Sequence, residues 1–196
     1  MAALALPPAY QVAYAVCFVL SLMYSVPPIR LKAVAGADWL INMVGFGTLT
    51  PFAGWAATGR PLEPAAAIVL LAFCPLFAAL YPLTQLYQME EDARRGDRTL
   101  ARIFGVRRSL DAAIAAATAA FGLFAWAGVR SGWLTPAAGA WRWAALGVAL
   151  LAWLAVLGSW RVVAGRLSPA DHQRRMYQSL AAWAVTDLAV VLVWGT

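Results

Sequence analysis

Residues 65–86 read AAAIVLLAFCPLFAALYPLTQL, and residues 90–111 shortly after them read EEDARRGDRTLARIFGVRRSLD. The first stretch has no charged side chain, and as a helix it is about 30 Å long, which matches the hydrocarbon core of a bilayer. Half of the second stretch is charged. This abrupt change predicts a membrane-spanning helix that ends at a charged loop.

Apolar runs and short charged loops alternate along the whole chain. Of its 196 residues, 63% are hydrophobic and only 12% are charged, whereas a soluble domain has roughly 25% charged residues. The runs do not alternate residue by residue, as the strands of a membrane β-barrel do. The sequence therefore predicts one all-α transmembrane domain over residues 1–196. Its six predicted spans are residues 10–26, 39–57, 65–86, 110–129, 143–160 and 176–194.

Basic residues are concentrated in alternate loops. Residues 27–38, 87–109 and 161–175 contain twelve of the fifteen Lys and Arg residues. Because basic loops stay on the cytoplasmic side, we predict that these three loops are cytoplasmic and that both termini lie outside. The protein is then an integral protein of the plasma (inner) membrane. Its net charge of +6 follows from this topology and does not indicate nucleic-acid binding.

The loop at 87–109 also contains acidic residues that topology does not explain. Glu90, Glu91, Asp92 and Asp97 stand among its arginines. Carboxylates can hold Mg²⁺ together with substrate phosphates, and arginine binds phosphate directly. The loop therefore suits a diphosphate-bearing substrate with an apolar tail. The alternative is a solvated, salt-bridged loop without chemistry.

The segment that leads into this loop has polar residues at helical spacing. Tyr81, Gln85, Gln88 and Asp92 are four, three and four residues apart, so on one helix they would share a face. Polar groups within a bilayer usually face the interior of a bundle or a wet cavity. The spacing predicts a polar stripe that descends from the charged loop into the membrane.

The loop after the first span forms a second candidate cluster. Residues 24–32 read YSVPPIRLK, and the two prolines end the helix and favour an extended exit. In an extended chain Arg30 and Lys32 point the same way and can reach a phosphate. The alternative is that both are ordinary determinants of topology.

Four other residues stand out by their chemistry. Asp187 is a carboxylate within the last span, and for it we favour a structural role in which Thr186 or a facing helix satisfies it. His172 is expected to be solvated in the basic loop at 161–175. Two prolines are expected to kink the third span; they are Pro75 and Pro82.

Three stretches carry a resemblance to a known family. YSVPPIRLK at 24–32 resembles the loop after the fourth helix in the UbiA superfamily of intramembrane prenyltransferases. YQMEEDARRGDRTLARIFG at 87–105 resembles the second aspartate-rich motif of that family, and LINMVGFGTLTPFAGW at 40–55 is similar to its fifth helix. The resemblance implies a nine-helix fold around a central cavity. It also implies Mg²⁺-dependent transfer of a prenyl group from a prenyl diphosphate to an aromatic or other hydrophobic acceptor.

The resemblance also implies roles for particular residues. Asp92 would be a Mg²⁺ ligand, helped by Glu91. The diphosphate would contact Arg30, Lys32 and Arg98. Tyr24 would line the cavity near the allylic chain. The remaining expected substrate-binding residues are those of the polar stripe, namely Tyr81, Gln85 and Gln88.

The sequence departs from the family pattern in two ways. The first aspartate motif lies on the second helix of the family, whereas the six spans here resemble helices four to nine. We therefore expect the activity to be incomplete in this chain alone, so that a separate chain or an upstream segment would supply the other helices. In addition, Gln88 stands where the second motif has its first aspartate. Two other functions stay open: a non-catalytic membrane partner or lipid-binding module derived from this fold, and a six-helix transporter.

Overall fold

Helices make up nearly all of the chain in the computed structural model, which describes residues 5–135 and 139–194. Within these described residues, five helices are long and apolar enough to cross a membrane, namely α1, α4, α6, α7 and α8. The predicted all-α, membrane-spanning fold is confirmed. In chain order the helices are α1 Pro8–Ser25, α2 Ala37–Val44, α3 Thr50–Ala57, α4 Pro64–Leu86, α5 Met89–Arg95, α6 Leu100–Arg130, α7 Ala140–Val163 and α8 Pro169–Trp194.

The predicted span at 39–57 is divided into three helical pieces. Helices α2 and α3 are joined by a π-helical segment, Gly45–Leu49, so the backbone is helical from residue 37 to residue 57 but is not one regular α-helix. Gly47 brings this segment against α4. A Cβ atom at Gly47 would lie 2.9 Å from the Cα of Cys74 and 2.9 Å from the Cβ of Phe77. The close approach of the two backbones therefore requires glycine.

Helices α4, α6, α7 and α8 pack as a four-helix group with a common core. On α6 the buried positions Ala113, Ala117, Ala120, Phe124 and Ala127 are spaced four, three, four and three residues apart. Such spacing places them on one face, and small residues on that face let neighbouring helices approach closely. Helix α1 lies outside this group, and only Ala13 among its residues is buried.

Aromatic rings fill the centre of the four-helix group. Trp183 on α8 packs against Phe73 and Phe77 of α4 and against Trp153 of α7. The indole N–H of Trp153 donates to the hydroxyl of Thr186 at 3.0 Å. This hydrogen bond satisfies a fully buried donor and joins α7 to α8.

Two expectations about α8 are corrected by this packing. His172 is buried rather than solvated, and its Nδ1 accepts a hydrogen bond of 2.9 Å from the indole N–H of Trp160. Thr186 bonds to α7 instead of satisfying Asp187. Asp187 is exposed on α8, close to the side chain of Trp183.

The prolines do not interrupt α4, which is helical from Pro64 to Leu86. Pro82 has no N–H, so the carbonyl of Ala78, four residues earlier, loses its partner within the helix. The indole N–H of Trp39 donates to that carbonyl at 3.0 Å. Trp39 therefore replaces the missing helical hydrogen bond and ties α2 to α4.

We predict that Gly47→Ala destabilises the protein by about 1–3 kcal/mol, because the added methyl group would overlap the backbone of α4. Thermal unfolding in detergent measures the change. Gly54→Ala is the matched control, since a Cβ at Gly54 meets nothing within 4 Å. Equal melting temperatures for the two variants would contradict the close approach of the π segment to α4.

Candidate functional site

The charged loop after α4 does not continue the helix, which corrects the predicted polar stripe. Helix α4 ends at Leu86, and α5 begins at Met89 after a break. Gln88 lies at this break and is exposed. Tyr81 and Gln85 are buried within α4, so only these two members of the stripe share one helix face.

A buried carboxylate, that of Asp38, organises the end of the bundle near this loop. None of the surface of Asp38 is exposed. Its Oδ1 accepts a hydrogen bond from the backbone N–H of Gly36 at 2.8 Å. Its Oδ2 accepts from Nε2 of Gln85 at 2.7 Å and from the backbone N–H of Leu100 at 3.4 Å. Asp38 therefore joins the start of α2 to the end of α4 and to the first turn of α6.

The hydrogen bonds continue from Gln85 toward α1. Nε2 of Gln85 also donates to the hydroxyl of Tyr81 at 3.2 Å, and Oε1 of Gln85 accepts from the backbone N–H of Ala101 at 3.4 Å. The hydroxyl of Tyr81 lies 3.0 Å from that of Tyr24 at the end of α1. We call Tyr24, Tyr81, Gln85 and Asp38 the polar chain. It connects α1, α4, α2 and α6 through buried and partly buried hydrogen bonds, which are favourable when every member is paired.

The negative charge of Asp38 also suits its position beside the first turn of α6. The backbone N–H groups in the first turn of a helix have no helical partner, and the helix dipole favours an anion there. Thr99, which precedes α6, makes no capping bond with its own side chain. Asp38 and Gln85 supply acceptors for that turn instead.

The loops at 27–38 and 87–109 are held together by a second set of contacts. Arg30 forms a two-pronged ion pair with Asp97, with N–O distances of 2.9 and 3.1 Å. The backbone N–H of Arg98 donates to the carbonyl of Ala33 at 3.1 Å. Arg30 also has a φ angle of 35°, a left-handed conformation that residues other than glycine rarely adopt. The ion pair and the backbone bond together fix the position of this loop.

Asp92 and Glu91 are neighbours on α5, but they differ in burial. Asp92 is buried, and its Oδ2 lies 3.5 Å from the hydroxyl of Thr99. Burial raises the pKa of the Asp92 carboxyl above its ordinary value, and the nearby carboxylate of Asp97 adds to the rise. The carboxylate of Glu91 is exposed and forms an ion pair with Arg95.

The carboxylates of Asp92 and Asp97 suit Mg²⁺ only when a substrate supplies further ligands. Within residues 5–135 and 139–194, no three His, Cys, Asp or Glu side chains come together as a metal-binding group. Mg²⁺ is commonly held by one or two carboxylates, with substrate phosphates and water completing its shell. Asp92, a hard oxygen donor beside the second carboxylate of Asp97, suits that arrangement.

Lys32 and Arg98 are among the basic residues of the two loops that form no ion pair with the described part of the chain. Lys32 is partly buried beside the start of α2, and Arg98 is exposed. Their positive charges are therefore available to an anion at the junction of the two loops, whereas the charge of Arg30 is balanced by Asp97.

Next to the polar chain lies a cavity of about 320 Å³ between α1 and the α2–π segment. Tyr24 and Asn42 line its wall together with apolar side chains such as Leu20, Ile41 and Phe46. The cavity therefore has a mainly apolar interior with polar groups at the side of the loops.

A comparison with protein-family models matches residues 1–184 to a family described as the UbiA prenyltransferase family. The match covers well over half of the chain. The chain belongs to the UbiA prenyltransferase family. A search of curated proteins and a search of solved structures gave no significant match.

Several of the predicted site residues lie together in the structure. Tyr24 and Tyr81 meet in the polar chain, and Lys32, Arg98 and Asp92 lie on the two loops that Arg30 joins to Asp97. Sequence reasoning missed Asp38. The available signal was a lone carboxylate two residues after Gly36, at the start of an apolar run in an otherwise basic loop.

We predict that Asp38→Ala destabilises the protein by roughly 3 kcal/mol, because Nε2 of Gln85 loses one of its two acceptors and the backbone N–H of Leu100 loses its acceptor. Hydrogen exchange should rise specifically at the backbone amides of Leu100 and Ala101. Glu90→Ala is the control, since it removes an exposed carboxylate from the same region. Unchanged exchange at the start of α6 would show that Asp38 does not hold that turn.

Proposed function

We propose that this member of the UbiA family is a prenyltransferase that moves a prenyl group from a prenyl diphosphate to an aromatic or lipid acceptor. The family match is the observation that carries the proposal. The junction of the two loops supports it, because unpaired cations and a buried carboxylate lie there beside an apolar cavity. The proposed reaction belongs to isoprenoid biosynthesis at the plasma membrane, with the substrate entering from the cytoplasmic side.

Binding of the diphosphate is assigned in this proposal to Lys32 and Arg98. Both can contact phosphate oxygens without first giving up an ion pair within the described chain. Arg30 then acts by positioning, because its pair with Asp97 holds the loop at 27–38 against the loop at 87–109. Charge-assisted hydrogen bonds to phosphate are stronger than neutral ones, so these cations would supply much of the binding energy.

Mg²⁺ would be held by Asp92 together with the diphosphate, and when bound it would neutralise charge on the leaving group. Glu91 is available as a further ligand after release from Arg95. Gln88, which is exposed at the break after α4, lies within reach of solvent and contributes at most a neutral oxygen.

The chemical step breaks the bond between the allylic carbon and the diphosphate oxygen, and the electron pair leaves with the diphosphate. The acceptor then forms the new bond to the allylic carbon, and its proton passes to the released diphosphate. Lys32 and Arg98 would stabilise the charge that develops on the departing oxygens, which is usually a large part of catalysis. Tyr24 and the cavity beside it would hold the apolar chain away from water.

A non-catalytic membrane partner or lipid-binding module is the second candidate. One observation favours it: Asp97, the second buried carboxylate near Asp92, is already paired with Arg30. A further chain that supplies acidic ligands would reconcile this observation with catalysis. Binding and transfer therefore have to be measured separately.

The test measures binding of radiolabelled geranylgeranyl diphosphate to the purified protein, with and without Mg²⁺, and prenyl transfer in membranes. We expect Lys32→Gln to weaken binding about tenfold, since it removes a charge-assisted contact. Asp92→Asn should abolish the stimulation of binding by Mg²⁺. Arg108→Gln is the control, because Arg108 is an exposed cation on α6.

Three outcomes are distinguishable. Normal stimulation by Mg²⁺ in Asp92→Asn would refute the metal assignment. Binding without transfer would indicate that the site is formed but that catalysis needs a further chain. A wild-type protein that does not bind the diphosphate at all would favour the non-catalytic candidate.

A further inference from the structure

A second cavity lies at the end of the bundle opposite Asp38. It has a volume of about 640 Å³ and opens between the end of α3, the start of α4 and the ends of α6 and α8. Asp38 lies at the first turn of the helical stretch 37–57, whereas Trp55 of this cavity lies at its last turn. The two sites are therefore separated by the length of the bundle.

Two tryptophans of the cavity wall have buried indole N–H groups without acceptors. The indole nitrogens of Trp55 and Trp194 are buried, and neither makes a hydrogen bond within the described chain. Both tryptophans belong to the cavity wall. Unpaired buried donors are rare because they have lost water without gaining a partner. Acceptor oxygens of a molecule in the cavity would satisfy both.

Two opposite charges, Arg60 and Glu63, also line the cavity. Both residues are exposed, and the ion pairs within residues 5–135 and 139–194 include neither of them. One cation and one anion match a ligand that carries one negative and one positive group. A purely anionic ligand would be repelled by Glu63, and an uncharged ligand would leave both charges unused.

The rest of the wall is mainly apolar. Val69 and Leu70 of α4 and Val191 of α8 contribute to it, and Val191 is also exposed to the surroundings of the bundle. In a membrane those surroundings are acyl chains. The cavity therefore has charges and indole donors near the loop at 58–63 and an apolar side that is open to lipid.

We propose that this cavity binds a zwitterionic phospholipid with an amine-bearing headgroup, drawn from the leaflet at that end of the bundle. The phosphate pairs with Arg60 and the ammonium group with Glu63. The ester carbonyl oxygens accept from the indoles of Trp55 and Trp194, and one acyl chain lies against the apolar wall. This site is independent of the proposed prenyl transfer.

The test is native mass spectrometry of the full chain, purified in detergent and titrated with phosphatidylethanolamine. The wild type is expected to bind one lipid saturably, and the double variant Trp55→Phe/Trp194→Phe is expected to bind it about tenfold more weakly, because two hydrogen bonds are lost. Trp143→Phe is the matched control. Trp143 is an exposed tryptophan near the start of α7, and it does not line the cavity. Equal affinities for the double variant and the control would overturn the proposal.

A second variant tests the headgroup without disturbing the buried indoles. Glu63→Gln changes an exposed side chain and removes the partner of the ammonium group. It should shift the preference from phosphatidylethanolamine toward the anionic phosphatidylglycerol. An unchanged preference, or a wild type that binds both lipids equally, would overturn the proposal even if the double variant fails to fold.

Discussion

The carboxylate of Asp38 makes the contacts on which the loop end of the molecule depends. It takes hydrogen bonds from the loop at Gly36, from Gln85 at the end of α4 and from the first turn of α6. A charged group removed from water is tolerated only when hydrogen bonds replace its hydration. The three segments are therefore held in one arrangement, since displacing any of them would leave a buried charge less well paired.

The polar chain links Asp38 to the cavity beside Tyr24. Tyr81 contacts both Gln85 and Tyr24, and Tyr24 lines the cavity between α1 and the α2–π segment. Arg30 and Asp97 hold the two loops together a short distance away. Lys32, Arg98 and Asp92 thus lie on loops whose positions are set by other residues. A site for a flexible, charged substrate gains affinity from this preorganisation.

The sequence was sufficient for the parts of the fold that follow from composition and periodicity. Apolar runs of bilayer length predicted the helices, and three quoted stretches led to the resemblance to the family. The polar stripe was only half right, because the spacing of Gln88 and Asp92 does not reveal that the helix ends at Leu86. Asp38 was missed for a related reason. Its partners Gln85 and Leu100 are far away in sequence, and no local pattern shows that they converge.

The bond between Trp39 and the carbonyl of Ala78 has a consequence for the order of assembly. The acceptor is orphaned because Pro82 has no N–H, and the donor comes from a segment that is synthesised earlier. A ribosome delivers α2 before α4, so the donor can already be in the bilayer when the proline-containing helix enters. An unpaired carbonyl in lipid is costly, and this arrangement shortens the time for which Ala78 would be left without a partner.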